Sequence, residues 1–428
     1  MLDIQIIRDT PDRVRTAIAN KATGPTDLVD RILSIDESWK TSTRELQELQ
    51  TSSNAAAKQI GVLMGSGRRD EAQALIAETS RQKAILQDLE QKQKGLEQEL
   101  NNLLLEVPNI PHESVPVGRT PDDNQSVFEW GSAPEFGFKA RPHWDLIDQW
   151  SLVDFDRGSK VAGAGFPFYR GQGARLQRAL IQFFLDTAVD RGGYTEIQAP
   201  LVVNEDSARG TGQLPDKEDL MYEAVRDGLY LIPTAEVPVT NLHRDEILDE
   251  EDLPVMYCAY TPCFRREAGS YGKDVRGLNR LHQFDKVELV RFVRPEDSYD
   301  ALEALRDDSE YLLQALGLPY RRLLMCTGDM GFTQAKKYDL EVWSAGQERW
   351  LEVSSISNFE SFQARRMRIR YRPTEGGRPT ILHTLNGSGL ALPRVMAALL
   401  ENGQQEDGTI LLPEVLHAYT GFDRIGTT

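Results

Sequence analysis

The sequence predicts an α+β fold in which a body with a largely antiparallel sheet follows a long antiparallel helical hairpin. Three observations support this prediction: a heptad pattern of apolar residues over 28–105, a glycine-rich turn within it, and mixed strand-like and helix-like runs from about 140 onwards. The strand-like runs do not alternate regularly with helices, so a doubly wound parallel sheet is disfavoured.

The hairpin is predicted by two seven-residue registers in which apolar side chains fill most positions. Ser42, Ser53 and Gln93 are the polar exceptions, and the pattern breaks at Gly65-Ser66-Gly67 before it resumes with the same spacing. Two helices joined by so tight a turn must fold back on each other, giving an arm of roughly 50 Å for about 34 residues. A dimerising coiled coil would show the same heptads, so the pattern alone leaves the role of the arm open.

The body is expected to span 140–428, after a linker over 106–139 that is rich in proline and turn residues. Strand-like runs occupy 195–203, 255–263, 281–290 and 381–385, and helix-like runs occupy 175–189, 299–316 and 395–401. The run 193–203 contains Pro200 and would by itself be an ordinary edge strand.

Composition excludes several classes of protein. The 428 residues include 49 basic and 66 acidic ones, a net charge of −17, so any nucleic acid must be bound through local basic patches rather than bulk attraction. No apolar run is long enough to span a membrane. Three cysteines without a CxxC pair predict a reducing, cytoplasmic location, and no cysteine or histidine spacing predicts zinc.

Charged residues concentrate in the strand–loop–strand segment 261–289. Alternation along a strand puts Arg265 and Glu267 on one face. On the second strand the shared face would carry His282, Phe284, Lys286 and Glu288. Unpaired buried charges are costly, so these faces are expected to meet a polyanionic ligand with a flat base. A solvated hairpin with incidental ion pairs is the alternative.

A second candidate site lies in 384–394. The segment is interpreted as a strand that passes through the turn Gly387-Ser388-Gly389 into a helix led by Pro393. Arg394 beside that helix start makes a candidate anion site. A helix cap with a surface arginine fits the same residues.

Together, the segments 193–203, 261–289 and 384–394 are similar to the three signature motifs of class II aminoacyl-tRNA synthetases. The run Thr234-Ala235-Glu236, the stretches 264–288 and 386–391, and the two-helix arm resemble the seryl-tRNA synthetases of the bacterial type. This resemblance covers nearly the whole chain. It implies a tRNA-binding domain over 1–105 and a class II catalytic domain over 140–428.

The resemblance implies ATP-dependent activation of L-serine to seryl-adenylate, followed by transfer of serine to the 3′ end of tRNA-Ser. The family also charges tRNA-Sec in hosts that have it, uses Mg²⁺, and forms a homodimer. Its members are not membrane proteins. The attacking serine carboxylate is already ionised at pH 7, so adenylation needs positioning and charge neutralisation rather than a general base.

The resemblance also implies site residues, named here at their positions in this sequence. The implied ATP-binding residues are Arg265, Arg266, Glu267, Phe284, Glu352, Val353, Ser354, Ser355 and Arg394. The implied serine-binding residues are Thr234, Ala235, Glu236, Arg265, Glu288 and Ser388. Arg265 and Arg394 are the implied catalytic charges, and Arg266 stands where many bacterial members have a small serine.

Within the ATP set, Glu352 and Ser355 match the family's magnesium ligands. In the serine set, Glu236 is expected to take the amino group with Thr234, whereas Glu288 is expected to bind the hydroxyl with Ser388. At the tip of the arm, Arg68 and Arg69 are expected to contact tRNA phosphates.

Two other functions share parts of this sequence. A relative that loads an amino acid onto a carrier protein would keep the ATP residues and is expected to lack the arm. A non-catalytic synthetase paralogue, acting as a binding or regulatory module, would be expected to have lost Arg265, Glu267, Glu288 or Arg394. All four residues are present.

Overall fold

The computed structural model of the chain describes residues 1–267 and 276–426. They form two compact units, Met1–Pro108 and Asn109–Thr428. The glycine-rich part of the second motif, 268–275, lies outside the described residues. Within the described residues, no helix has both the length and the apolar character needed to cross a bilayer.

The first unit is helical and contains the predicted hairpin. Its helices are α1 (Ile4–Asp9), α2 (Pro11–Lys21), α3 (Leu28–Gly65) and α4 (Arg69–Leu105). Helices α3 and α4 pack against each other, with Gly67 at a φ of +80° in the turn between them. A positive φ of this size favours glycine, which explains the sharp reversal at this point. The predicted antiparallel coiled-coil arm is confirmed.

The buried face of the arm follows the heptads closely. On α3, the polar residue Ser42 is buried at its predicted register position, beside half-buried Trp39 and Leu46. On α4, the least exposed positions extend back to Ala72 and Thr79 at the same spacing. From the sequence alone, the heptad pattern of α4 is recognisable only from residue 86 onwards, because small and polar side chains at the earlier positions obscure it.

The second unit is α+β, as predicted. Its helices are α5 (His143–Trp150), α6 (Phe155–Ala162), α7 (Gly171–Asp190), α8 (Glu205–Thr211), α9 (Glu236–Thr240), α10 (Ser298–Ala315), α11 (Phe362–Met367), α12 (Leu392–Asn402) and α13 (His417–Thr420). Its strands are β1 (Gln125–Trp130), β2 (Val153–Asp154), β3 (Phe168–Tyr169), β4 (Thr195–Glu196), β5 (Val202–Asn204), β6 (Glu223–Ala224), β7 (Leu229–Leu231), β8 (Ile247–Asp249), β9 (Val255–Phe264), β10 (Gln283–Val293), β11 (Tyr320–Leu324), β12 (Lys336–Ser344), β13 (Arg349–Asn358), β14 (Arg370–Arg372), β15 (Thr380–Ile381), β16 (His383–Ala391), β17 (Ile410–Leu411) and β18 (Arg424–Ile425).

The main sheet has the order β1-β11-β12-β13-β16-β10-β9-β4 among the described residues. Neighbouring strands are antiparallel except for β4, which runs parallel to β9. The principal apolar core includes Phe184 of α7, Leu305 of α10 and Leu400 of α12, all fully buried. Strand β1 lies within the segment expected to be a linker and pairs with β11.

Two strand predictions need correction. The run expected over 195–203 is two short strands, β4 and β5, which belong to different sheets and are separated by Pro200. The predicted turn at Gly387-Ser388-Gly389 is wrong, because these residues lie inside β16 and are buried. A Cβ at Gly387 would lie 3.1 Å from Leu305 of α10, so this glycine allows a helix to pack closely on the sheet.

Candidate active site

Two adjoining cavities lie against strands β10, β13 and β16. The larger cavity has a volume of about 440 Å³ and the smaller one about 320 Å³. Their shared lining residues are Leu220, Arg265, Lys286, Glu352, Ser355 and Ser388. A ligand in one cavity is therefore in reach of side chains that also face the other.

The larger cavity gathers nearly all of the implied ATP residues. Its lining includes Arg265, Glu267, Phe284, Glu352, Val353, Ser354, Ser355 and Arg394. The Arg265 guanidinium carbon lies 5.1 Å from the centre of the Phe284 ring, so a cation and an aromatic face are presented side by side. Glu267 accepts a 2.5 Å hydrogen bond from Arg280, which also lines the cavity.

Arg266 is the exception in the ATP set. Its side chain is exposed and does not line either cavity, while its backbone N–H donates to the Leu220 carbonyl at 2.9 Å. Alternation after β9 turns Arg266 away from the face that carries Arg265 and Glu267. His282 also lies outside both linings, and its Nδ1 lies 2.7 Å from the Tyr222 hydroxyl group.

Arg394 is held at the edge of the larger cavity by two carbonyl groups. Its Nε donates to the Asn279 carbonyl at 3.0 Å, and its Nη1 donates to the Glu352 carbonyl at 2.8 Å. The Glu352 carboxylate lies 3.7 Å from the same Nη1. These contacts fix the position of the Arg394 side chain. Arg394 lies at the start of α12, which directly follows strand β16.

Glu352 is the carboxylate that both cavities share. Burial alone would raise its pKa, but Lys337, Arg394, Arg265 and Lys286 around it together lower the pKa. The side chain remains 46% exposed, so an ionised oxygen is available to a ligand. Ser355 lines the same two cavities.

The chemistry of these donors fits Mg²⁺. Magnesium in phosphate-transfer sites is usually held by one or two carboxylates together with substrate phosphates and water. Glu352 supplies one ionised carboxylate and Ser355 a hydroxyl beside the larger cavity. In the described parts of the chain, no three histidine, cysteine, aspartate or glutamate side chains are grouped so that they could hold a metal ion by themselves.

The smaller cavity is lined by carboxylates on a buried hydrogen-bond network. Thr234 donates to Glu288 at 2.7 Å, and the side-chain amide of Asn386 donates to Glu236 at 2.8 Å and to Glu288 at 3.3 Å. The Lys286 ammonium pairs with Glu288. The implied serine residues Thr234, Glu236, Arg265, Glu288 and Ser388 all line this cavity.

The surroundings of Glu236 raise the pKa of its carboxyl group. Burial, followed by repulsion from Glu288, raises its pKa to about 7, although Gln363 donates a hydrogen bond to it at 2.6 Å. A carboxyl group with this pKa binds a cation well only after it releases its proton. The site therefore favours a ligand that carries a positive charge to this position.

Ala235 is the serine-set residue that the structure places elsewhere. It is fully buried and packs with Val239 and Phe292 in an apolar cluster outside the cavity linings. Its neighbours Thr234 and Glu236 line the smaller cavity, but the Ala235 methyl group does not.

Sequence reasoning missed several residues of the smaller cavity and its support. Asn386 lies in the third motif and could have been assigned from its neighbours, whereas Lys217 and Met330 lie in segments without a motif. Lys217 is exposed to solvent, yet the protein packed around it lowers the pKa of its ammonium group against the attraction of Glu236. Gln363 is contributed by α11, far along the chain from Glu236.

The two arginines at the tip of the arm are exposed. Arg68 forms an ion pair with Glu71 in which both side chains are more than half exposed. Such an exposed pair contributes little to the free energy of unfolding, so Arg68 can exchange Glu71 for another anion at small cost. Contact of Arg68 and Arg69 with tRNA stays a prediction.

Two family models match this chain, one over its first unit and one over the body. Residues 1–111 match the family model of the seryl-tRNA synthetase N-terminal domain, and residues 221–403 match the tRNA synthetase class II core domain (G, H, P, S and T). A serine–tRNA ligase of Salinibacter ruber is 62% identical over 426 residues, which cover 100% of this chain and 99% of that protein. One from Thermotoga neapolitana is 51% identical and covers 99% and 100%.

Solved structures agree with the sequence relatives. The seryl-tRNA synthetase of Pyrococcus horikoshii, crystallised with ATP, has a TM-score of 0.94 and 37% identity, covering 99% of both chains. The cytoplasmic serine–tRNA ligase of Naegleria fowleri, in complex with AMP, has a TM-score of 0.88 and 28% identity, covering 99% of this chain and 98% of that one. Full-length identity at this level, two matching domains and the paired cavities lead to one conclusion: this chain belongs to the seryl-tRNA synthetases, the class II serine–tRNA ligases.

Proposed function

We propose that the chain activates L-serine with ATP in the paired cavities and transfers the seryl group to the 3′ end of tRNA-Ser. The observation that carries the proposal is the division of charge between the cavities. Arginines and an aromatic ring line the larger one, buried carboxylates line the smaller one, and Arg265 faces both. A nucleoside triphosphate and an amino acid would thus meet at a shared cation.

ATP occupies the larger cavity in this proposal. Phe284 stacks on the adenine base, and Glu267 accepts from its amino group. Arg394 neutralises the γ-phosphate, supported by its two carbonyl contacts at 2.8 and 3.0 Å. Arginine suits this task because its planar group can donate to two phosphate oxygens at once.

Adenylation then requires positioning more than proton transfer. A serine carboxylate oxygen forms a bond to the α-phosphorus, and the bond between that phosphorus and the pyrophosphate oxygen breaks. Arg265 lies on the border of the cavities, where it can neutralise both the carboxylate and the α-phosphate. Charge neutralisation at a fixed position is the main contribution such a site makes to the rate.

Serine is recognised in the smaller cavity. Its ammonium group pairs with Glu236, and its hydroxyl group meets Glu288 and Ser388. Glu288 is 1% exposed and already hydrogen-bonded to Thr234 and Asn386. An alanine ligand would leave the Glu288 oxygen without its hydroxyl partner. Sites of this kind can lower kcat/KM for the analogue that lacks the hydroxyl group by a factor of about 10⁴ or more.

Mg²⁺ is the proposed metal, held by Glu352 and Ser355 together with ATP phosphates. When bound it would supply further neutralisation of the triphosphate charge. Zinc has no role in the proposal.

The remaining parts of the proposal concern partners and location. The arm would bind tRNA, with Arg68 and Arg69 in contact with tRNA phosphates. In hosts that have tRNA-Sec, this tRNA would be a second substrate. A M. kandleri seryl-tRNA synthetase is known in complex with A. aeolicus tRNA-Sec. At 17% identity that likeness concerns the fold, so tRNA-Sec rests on family resemblance. The proposal also includes a homodimer in the cytoplasm.

A non-catalytic paralogue is disfavoured by the state of the site. Arg265, Glu267, Glu288 and Arg394 are all present and line the cavities. A carrier-protein ligase is disfavoured by the intact arm of α3 and α4.

The direct test is charging of purified tRNA-Ser with labelled serine in the presence of ATP and Mg²⁺. Esterified serine at the 3′ end, dependent on ATP, is expected. Adenylation without transfer to tRNA-Ser would overturn the tRNA half of the proposal.

A further inference from the structure

His143 and Glu401 form a fully buried pair outside the two cavity linings. The His143 Nδ1 lies 2.7 Å from a Glu401 carboxylate oxygen, and both side chains are inaccessible to solvent. His143 is the first residue of α5, whereas Glu401 lies in α12, seven residues after Arg394. Neither residue has a role in the serine or ATP assignments above.

The contacts of the pair define how the imidazole is used. The backbone N–H of Leu278 donates to His143 Nε2 at 2.9 Å, so Nε2 must be an unprotonated acceptor. The proton of the neutral ring is then on Nδ1 and points to Glu401. Glu401 also accepts from the Gly346 and His143 N–H groups, both at 2.9 Å. Burial would raise the Glu401 pKa, but the hydrogen bonds from His143 and Ser344 lower it.

The acceptor atom of His143 lies directly beneath a wall of the larger cavity. Leu278, Asn279 and Arg280 are consecutive lining residues of that cavity. Gly277, just before them, has a φ of +66°, and a Cβ there would lie 2.3 Å from His143 Nε2. The segment can approach the imidazole this closely only because it has no side chain at 277.

Three further contacts hold the same wall in place: one to helix α5, one to Gln347 and one to Arg394. The Arg276 guanidinium lies 4.7 Å from the ring centre of Trp144, the second residue of α5. Asn279 donates to Gln347 at 2.8 Å, and its carbonyl accepts from Arg394 Nε at 3.0 Å. Displacement of the segment 276–280 would therefore move both the lining residues and the support of Arg394.

We propose that His143, fixed by Glu401, is a positioning residue for the ATP cavity that holds the segment 276–280 in place through Leu278. Loss of this contact should weaken ATP binding and not serine binding, because no residue of this segment lines the smaller cavity. The inference deepens the proposed function and rests on the assignment of ATP to the larger cavity.

The test separates the two ends of the imidazole. His143→Gln places an amide oxygen near the former Nε2 and can still accept from Leu278. His143→Asn has a shorter side chain that can reach Glu401 but not Leu278. Both replacements are neutral and polar, so they form a matched pair. The ATP Kd is measured by calorimetry, the KM for ATP and for serine by pyrophosphate exchange, and folding by thermal melting.

The expected result is a roughly tenfold rise in the ATP Kd and KM for His143→Asn, with near-native values for His143→Gln. The KM for serine should change by less than about twofold in either variant. Equal ATP values in the two variants, or parallel losses for ATP and serine, would overturn the inference and leave the pair a purely structural contact.

A second variant keeps the inference testable if either histidine replacement fails to fold. Gly277→Ala leaves His143 and Glu401 intact but forces the segment away from Nε2. We expect the same selective rise for ATP, and an unchanged ATP Kd in this variant would contradict the inference. Absence of serine-dependent exchange in the unaltered enzyme would refute the proposed function instead, because the ATP Kd comparison does not depend on serine.

Discussion

Glu236 and Glu288 share one amide group: the Asn386 side chain donates to Glu236 at 2.8 Å and to Glu288 at 3.3 Å. Two carboxylates held so close in a buried site repel each other unless a cation lies between or beside them. The Lys286 ammonium group forms an ion pair with Glu288. Burial and repulsion from Glu288 raise the pKa of Glu236 to about 7. Glu236 lines the smaller cavity, where the ammonium group of a ligand would stabilise its ionised form.

Serine binding should therefore weaken in mild acid. Below about pH 7 Glu236 carries a proton that the serine ammonium must displace, so the serine Kd should rise by up to tenfold per pH unit between 7 and 5.5. Calorimetry without ATP measures this directly. In Glu236→Gln binding should be weaker and independent of pH. If the serine Kd of this variant still changed with pH, the titrating group would be one other than Glu236.

Replacement of Glu288 should damage selectivity more than folding. We expect Glu288→Gln to reduce the ratio of serine to alanine activation by roughly 10- to 100-fold, because the charged acceptor for the hydroxyl is lost. The ratio is measured by pyrophosphate exchange. Glu341→Gln is the matched control, since Glu341 is also a sheet carboxylate but pairs with Arg321 away from the cavities. An unchanged ratio in Glu288→Gln would remove Glu288 from serine recognition.

Loss of Arg394 should affect ATP selectively. Arg394→Ala removes a cation fixed by two carbonyl groups, so the KM for ATP should rise roughly 10- to 100-fold with little change in the KM for serine. Steady-state pyrophosphate exchange checks both values. Arg321→Ala, which removes an arginine of β11 that lies outside both cavities, should leave both KM values near those of the unaltered enzyme.

The arm tip should act on tRNA and not on adenylation. Arg68→Ala and Arg69→Ala should each raise the KM for tRNA-Ser a few-fold and reduce its salt dependence by about one unit of slope. Pyrophosphate exchange should be unchanged. Glu71→Gln provides the control, because it frees Arg68 from its ion pair and should leave tRNA binding equal or tighter.

Deletion of residues 31–104 is the stronger form of the same experiment. It should abolish tRNA charging and preserve serine-dependent exchange. Equal loss of both activities would contradict the separation of the arm from the adenylation site.

Local sequence patterns predicted the arm and one face of the site. Heptads specify which residues face the partner helix, so even Ser42 was located correctly. Alternation predicted one shared face for Arg265 and Glu267, and one shared face of the second strand for His282, Phe284, Lys286 and Glu288. All of these residues except His282 line the cavities. These features depend on residues close in sequence, where the period of the backbone decides the result.

The remaining features depend on contacts between distant segments. Gly387 looked like a turn residue, but its small size serves the packing of Leu305 from α10. Gln363 reaches Glu236, and Glu401 reaches His143, across more than 120 residues in each case. No local pattern identifies such partners, and a buried polar network becomes recognisable only when the folded chain brings it together.

Amino-acid-dependent ATP–pyrophosphate exchange tests the central claim most directly, with serine compared against threonine, alanine, glycine and cysteine. The account predicts strong exchange with serine alone, in the presence of Mg²⁺. Strong exchange with a different amino acid would overturn Glu288 and Ser388 as the residues that read the serine hydroxyl. No exchange from folded protein would contradict adenylation and favour a non-catalytic paralogue.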